Sequence, residues 1–190
     1  MPKTLSGHTH PADSPPHSLD PDALIHVWEQ ALIGVLAYGF SVRYAQLDPP
    51  KTGTFNGLEI ILRPDNPLEM QTFILLHLFG HCVQWVAPSL AESTRLIETA
   101  PNLEAFLVQL KRYEGEAAEF GLQLLHERGV EEVDQWFSDF ATADWKYVEG
   151  YYRTGAIPSW ESCQVKDAPL FTPKPIPPLE LRKVQVRFAF

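Results

Sequence analysis

Residues 20–62 carry a helical and then an extended hydrophobic pattern. Apolar residues recur at helical spacing between Asp20 and Gly39, at Leu24, Val27, Trp28, Ala31, Leu32 and Val35. Asp20 is suited to cap this predicted helix, and Pro21 to occupy its first position. Two strands are predicted next, at residues 41–47 and 55–62, the second with a bend at Gly57.

Helical periodicity then continues to about residue 157. Residues 68–86 are apolar nearly all round, which predicts a helix at the centre of the core rather than on its surface. Further helices are predicted at residues 90–99, between a cap at Asn102 and a stop at Gly129, and at residues 130–140 and 144–153. A helix, two strands and four or five more helices indicate a mainly helical α+β fold.

Both ends of the chain differ in composition from this central part. Residues 1–20 are rich in Pro, Ser, Thr, His and Asp without periodicity, which is typical of a flexible tail. Proline is dense in residues 158–178, and residues 184–190 alternate like a strand. We therefore predict a domain at residues 21–157 and a wrapping C-terminal segment at residues 158–190 that ends in a strand.

Charge and cysteine content exclude some functions. The net charge is −9 and the 15 Lys and Arg are scattered, which argues against direct binding to nucleic acid or to an anionic membrane. The two cysteines fit a reducing compartment. The N-terminus lacks the apolar stretch of a secretory signal, and the most apolar run, residues 73–86, is too short to span a bilayer. These features predict a cytoplasmic protein.

Two histidines in the central helix are the first candidates for chemistry. His77 and His81 are four residues apart and share one helix face, as two ligands of one metal ion require. Zinc binds imidazole nitrogen well. The alternative is that each ring is simply hydrogen-bonded inside the core. Burying two imidazoles in so apolar a helix costs free energy unless they gain partners, and a metal ion is one such partner.

A third ligand is expected from the long helix after Asn102. Glu114 falls within roughly 60° of the centre of its apolar stripe, whereas Glu116 lies about 100° away and Glu119 points outward. Glu114 is therefore favoured as the third ligand, and Glu116 is the alternative. The ordinary explanation of Glu114 is a carboxylate at the edge of the core that reaches solvent or pairs with Lys111 or Arg112.

These segments resemble the ImmA/IrrE family of zinc metallopeptidases. The family pattern H-E-x-G-H corresponds to His77-Leu78-Phe79-Gly80-His81, and its E-x-x-A-N/D-x-F-A-x-x-L-L pattern to residues 114–125. Residues 56–62 are similar to the strand that precedes the active-site helix, and the resemblance covers roughly residues 35–126. It implies a zincin-like minimal core, with a short β-sheet and a central active-site helix. It also implies a zinc ion held by His77, His81 and Glu114, with close helix packing at Gly80.

The chain departs from this pattern at two positions. Leu78 replaces the glutamate that acts as general base, and Ala118 replaces the Asn or Asp that supports a ligand. Loss of a general base typically costs a factor of roughly 10²–10⁴ in rate. A pseudo-peptidase is therefore favoured over an enzyme. Candidate cleft residues that can compensate lie in the acidic and aromatic stretch 144–155, at Asp144, Glu149 and Tyr151.

Three functional hypotheses follow. The first is a zincin-like pseudo-peptidase that binds a divalent metal and a peptide or protein partner. For this partner the resemblance implies a transcriptional regulator, and hence a regulatory role. The second is an active zinc metallopeptidase with a displaced base. The third is a metal-free protein-interaction module whose former site is filled by apolar side chains, Leu78 among them.

Overall fold

The computed structural model describes residues 18–48, 51–90 and 100–185. Its elements are α1 (Pro21–Ala37), β1 (Ser41–Tyr44), β2 (Gly53–Phe55), β3 (Glu59–Leu62), α2 (Leu68–Val86), a 3-10 turn (Pro88–Leu90), α3 (Leu103–Glu127), α4 (Asp134–Thr154) and α5 (Trp160–Cys163). The fold is α+β and mainly helical, as predicted. Most of the predicted N-terminal tail, most of the helix predicted at residues 90–99, and the predicted strand beyond residue 185 lie outside the described residues.

Helix α1 begins as its sequence predicts. The carboxylate of Asp20 accepts hydrogen bonds from the backbone N–H groups of Asp22 and Ala23, at 3.1 and 3.0 Å. Pro21 occupies the first turn, where its missing N–H costs nothing. Val27, Ala31 and other apolar residues of the predicted stripe are buried against the core.

The sheet contains one strand more than predicted. Its order is β1-β3-β2, with β1 parallel and β2 antiparallel to β3. The single strand predicted at residues 55–62 is wrong, because the chain reverses between β2 and β3. Asn56 Oδ1 accepts hydrogen bonds from the N–H groups of Leu58 and Glu59, and Gly57 has a φ of 82°. An Asx turn with a left-handed glycine turns the chain back on itself instead of bending it.

Helix α2 lies at the centre of the core, with the bounds that its sequence predicts. Its packing against α3 is closest at two glycines. A Cβ atom on Gly80 would lie 2.0 Å from the carbonyl oxygen of Ala117, and one on Gly121 would lie 2.7 Å from that of Leu76. The close packing predicted at Gly80 is confirmed. It brings the backbone of α3 against α2 beside the two histidines.

Helix α4 is continuous, so the two helices predicted at residues 130–140 and 144–153 are wrong. Nothing between residues 140 and 144 breaks a helix, and Ala141 and Ala143 are buried within it. Gly155, at a φ of 71°, ends it.

The C-terminal segment from residue 164 to residue 185 contains neither helix nor strand and runs over several core elements. Its backbone N–H groups donate to Asp139, Ser138 and the carbonyl of Val86. The N–H of Val184 donates to the carbonyl of Asn56, without forming a strand. In the described part of the chain, no helix is long and apolar enough to cross a membrane.

Candidate metal centre

His77 and His81 place their Nε2 atoms 3.0 Å apart on one face of α2, and each residue is 7% exposed. Aromatic rings hold both imidazoles in this orientation. His77 stacks on Phe73 at 5.4 Å between ring centroids, and His81 lies between Phe55 and Tyr113 at 5.9 and 4.7 Å. The helical spacing that predicted two ligands on one face therefore brings their nitrogens to one point.

Glu114 reaches the same point from α3. Its Oε2 atom lies 3.0 Å from Nε2 of His77 and 3.1 Å from Nε2 of His81. Three ligands of a tetrahedral zinc ion lie about 3.3 Å from one another, so this triangle needs to expand only slightly to accept the ion. His77, His81 and Glu114 form a cluster that can hold a metal ion.

The hydrogen bonds around His81 also fit a cation. Its Nδ1 lies 2.9 Å from Oε1 of Gln84, an acceptor, so Nδ1 carries the proton. In the neutral ring, Nε2 then presents a lone pair to the Glu114 carboxylate. The lone pair of Nε2 and the negatively charged carboxylate repel each other, and a cation bound between them would remove this repulsion. His77 Nδ1 is buried and has no hydrogen-bond partner among the described residues, so that ring is less firmly supported.

The pKa values of Glu114 and His77 are both shifted by the charges of the site. Burial raises the pKa of Glu114, but the charge of His81 and the hydrogen bonds to both rings outweigh it and hold this pKa well below its usual range. Burial lowers the pKa of His77, but its hydrogen bond to Glu114 and the charges of Asp144 and Glu114 raise it above its ordinary value. The surroundings of the His77 imidazole therefore favour positive charge.

Asp144 is the candidate cleft residue that joins this site. Its Oδ2 atom lies 3.8 Å from Nε2 of His77, and its side chain is 20% exposed. Burial raises the pKa of Asp144 to about 6, against the opposing charge of His77. Among the described residues, no hydrogen bond reaches its carboxylate.

The site opens into a cavity of about 220 Å³. Besides the four polar residues of the site, its walls are Thr52, Gly53, Phe55, Met70, Ile74, Leu78, Leu110, Tyr147, Val148, Tyr152 and Trp160. Apart from Thr52, which precedes β2, they come from β2, α2, α3, α4 and α5. Leu78, which follows His77 where the H-E-x-x-H pattern has a glutamate, is one of these walls.

Comparisons with family models, with curated proteins and with solved structures find no match to this chain.

The remaining predicted site residues lie elsewhere. Glu116, the alternative third ligand, lies outside the cluster of His77, His81 and Glu114. Its carboxylate accepts from Nε2 of Gln84 at 3.0 Å and from the ammonium of Lys174. Glu149 pairs with Arg153 at 2.9 Å. Neither Glu149 nor Tyr151 lines the cavity.

Tyr147, Val148 and Gln84 are among the residues near the site that were missed. Tyr147 and Val148 follow Asp144 by three and four residues, and this helical spacing alone would have found them. Gln84 follows His81 by three residues, the same signal, but its contact also depends on where α3 lies.

Proposed function

We propose that this chain is a zincin-like zinc-binding protein that binds an extended peptide segment and does not cleave it efficiently. The observation that carries the proposal is the triangle of His77 Nε2, His81 Nε2 and Glu114 Oε2, with sides of 3.0–3.1 Å, at the wall of a cavity. Two imidazole nitrogens and one carboxylate oxygen suit zinc, and three protein ligands leave one position for a ligand from the cavity.

The position after His77 supports binding rather than hydrolysis. Leu78 is 7% exposed, and its Cδ1 would lie 2.8 Å from a Cβ atom on Gly53. An apolar side chain thus packs against β2 where the H-E-x-x-H pattern places its base. Without that base, hydrolysis is expected to be slower by a factor of roughly 10²–10⁴.

The surroundings of the cavity support a peptide as the ligand. In the described part of the chain, β2 pairs with β3 on one side and with no strand on the other. Gly53 and Phe55 of this edge strand line the cavity. An extended peptide can add to such an edge through main-chain hydrogen bonds and place an apolar side chain in the pocket beside it. Together with the resemblance to ImmA/IrrE proteins, this favours a segment of a transcriptional regulator as partner.

Elemental analysis of the purified, untagged protein tests the metal site. We expect about one zinc ion per chain, and none in a His77→Ala/His81→Ala variant. A labelled peptide that carries an apolar side chain and a hydroxamate then tests the open position. We expect it to bind the zinc-loaded protein and to be released by a chelator. Equal zinc content in both proteins would overturn the proposal.

Asp144 favours a second candidate, a zinc-dependent peptidase with a displaced base. Its carboxylate faces the same cavity, 3.8 Å from a ligand nitrogen, and its pKa of about 6 suits a general base at neutral pH. This candidate predicts zinc-dependent turnover that Asp144→Asn abolishes while zinc content stays unchanged. Turnover that persists in excess chelator, or no turnover by zinc-loaded protein, would remove it.

A further inference from the structure

A chain of hydrogen bonds leads from His81 away from the cavity. It starts at Gln84, which is fully buried one turn along α2. Both hydrogens of the Gln84 amide have acceptors: the carbonyl of Tyr113 at 2.8 Å and Oε2 of Glu116 at 3.0 Å. The amide oxygen therefore faces Nδ1 of His81, at 2.9 Å. A flipped amide would turn its oxygen toward two other acceptors, so this orientation is fixed.

The orientation of Gln84 sets the tautomer of His81. Because Gln84 offers an acceptor, Nδ1 of His81 holds the proton and Nε2 keeps its lone pair for the ion. In the family pattern, an Asn or Asp at the position of Ala118 supports a ligand. Here Gln84, on the other helix, supplies such support to His81.

The outer end of the chain of hydrogen bonds lies in the C-terminal segment. The ammonium of Lys174 donates to Oε1 of Glu116 and lies 5.4 Å from the centre of the Phe120 ring. The Glu116 side chain is 18% exposed. Burial raises the pKa of the neighbouring Glu119, the charge of Lys174 opposes this, and the charge of Glu116 raises it further. Lys174 neutralises this pair of acids, and so keeps the Glu116 carboxylate turned toward Gln84.

We propose that Lys174 is a positioning residue of the metal site, which acts on His81 through Glu116 and Gln84. The C-terminal segment then sets zinc affinity although its residues from 164 to 185 line none of the cavity. This inference rests on the proposed zinc site for its effect on affinity, but not for its effect on the tautomer of His81.

The test uses full-length variants. Lys174→Met removes the charge and keeps a long apolar side chain over Phe120. Lys174→Arg restores a positive charge, and Lys183→Met removes an exposed lysine from the same segment. Competition with a chromophoric chelator measures zinc affinity. Replacing such outer partners typically costs 10–100-fold in metal affinity, so we expect about a tenfold loss in Lys174→Met. We expect Lys174→Arg and Lys183→Met to bind zinc with wild-type affinity.

A second readout separates positioning from general stability. Nitrogen-15 shifts of the imidazoles in the zinc-free protein report the tautomer of His81. We expect Nδ1–H in the wild type and a mixture of tautomers in Lys174→Met and in Gln84→Leu, with an unchanged thermal midpoint for Lys174→Met. If Lys174→Met keeps the wild-type zinc affinity and the wild-type tautomer of His81, the role of Lys174 is overturned and the proposed zinc site stands. A wild-type protein that binds no zinc would overturn the proposed function. The tautomer measurement alone would then decide whether Lys174 positions His81.

Discussion

The backbones of Gly80 and Ala117 touch, with 2.0 Å between the carbonyl oxygen of Ala117 and the place of a Cβ atom on Gly80. This contact lies one residue before His81 on α2 and three after Glu114 on α3. The distance between the two helices, and hence between the ligand atoms, depends on it.

We predict that Gly80→Ala destabilises the protein and weakens metal binding. The new methyl group must push α3 away, and overpacking of this kind costs about 1–3 kcal/mol or more, against a gain of at most about 1 kcal/mol in helix propensity. Urea unfolding of the zinc-free protein measures the first effect and zinc titration the second.

Gly115→Ala is the matched control for this prediction. Gly115 lies in the middle of α3, beside Glu114, and its nearest contact would be an ordinary 3.5 Å to Phe171 Cε1. Helix propensity should then stabilise the variant by up to about 1 kcal/mol. Equal effects of the two substitutions would show that the helix contact at Gly80 is not tight.

Glu114, and not Glu116, is predicted to be the third ligand. Glu114→Gln should lower zinc affinity at least about 100-fold, because an amide oxygen is a much weaker zinc ligand than a carboxylate. Glu104→Gln, at the exposed start of the same helix, should leave affinity unchanged. Glu116→Gln should cause an intermediate loss of about tenfold, since Glu116 acts through Gln84. Isothermal titration in a weak chelating buffer ranks the three, and a larger loss for Glu116→Gln than for Glu114→Gln would contradict the assignment.

The helices that surround the site could be predicted because their ends are strongly marked. Asn102 caps α3 through a hydrogen bond from the N–H of Ala105, and α2 lies between two prolines, Pro67 and Pro88. With both helices in place, the phase of the apolar stripe was enough to favour Glu114 over Glu116. The reversal at Asn56 was missed because hydrophobic periodicity does not report the two side-chain hydrogen bonds that hold this turn. The pair Asn56-Gly57 is the sequence signal that would have found it.

The walls of the cavity were harder to predict than the ligands. Glu149 was proposed as a cleft residue, but Arg153 lies one turn further along α4 and takes its carboxylate. Gln84 was missed because its importance comes from a carbonyl and a carboxylate of α3. Helical periodicity predicts which residues share one face of a helix, but it does not predict which residues of two different helices come into contact.

Zinc is predicted to stabilise the protein through the three ligands. A ligand that binds only the folded state adds about 2.7 kcal/mol to the free energy of unfolding at a free concentration of 100 Kd. Urea unfolding with and without zinc should show this gain in the wild type and not in His77→Ala/His81→Ala. The same gain in the variant would place the bound zinc on other residues.

Leu78→Glu is predicted to create or greatly increase zinc-dependent peptide hydrolysis. Leu78 lines the cavity next to Gly53 of the edge strand, so a glutamate there places a carboxylate between the zinc ligands and a peptide lying along that strand. A general base contributes a factor of about 10²–10⁴, which is the gain expected in cleavage of a fluorogenic peptide. Leu78→Gln matches the new side chain in size and polarity but cannot act as a base, so it should stay inactive. If Leu78→Glu is folded and zinc-loaded yet no more active than Leu78→Gln, then the missing glutamate is not what limits hydrolysis, and the cavity does not hold a peptide bond within reach of residue 78.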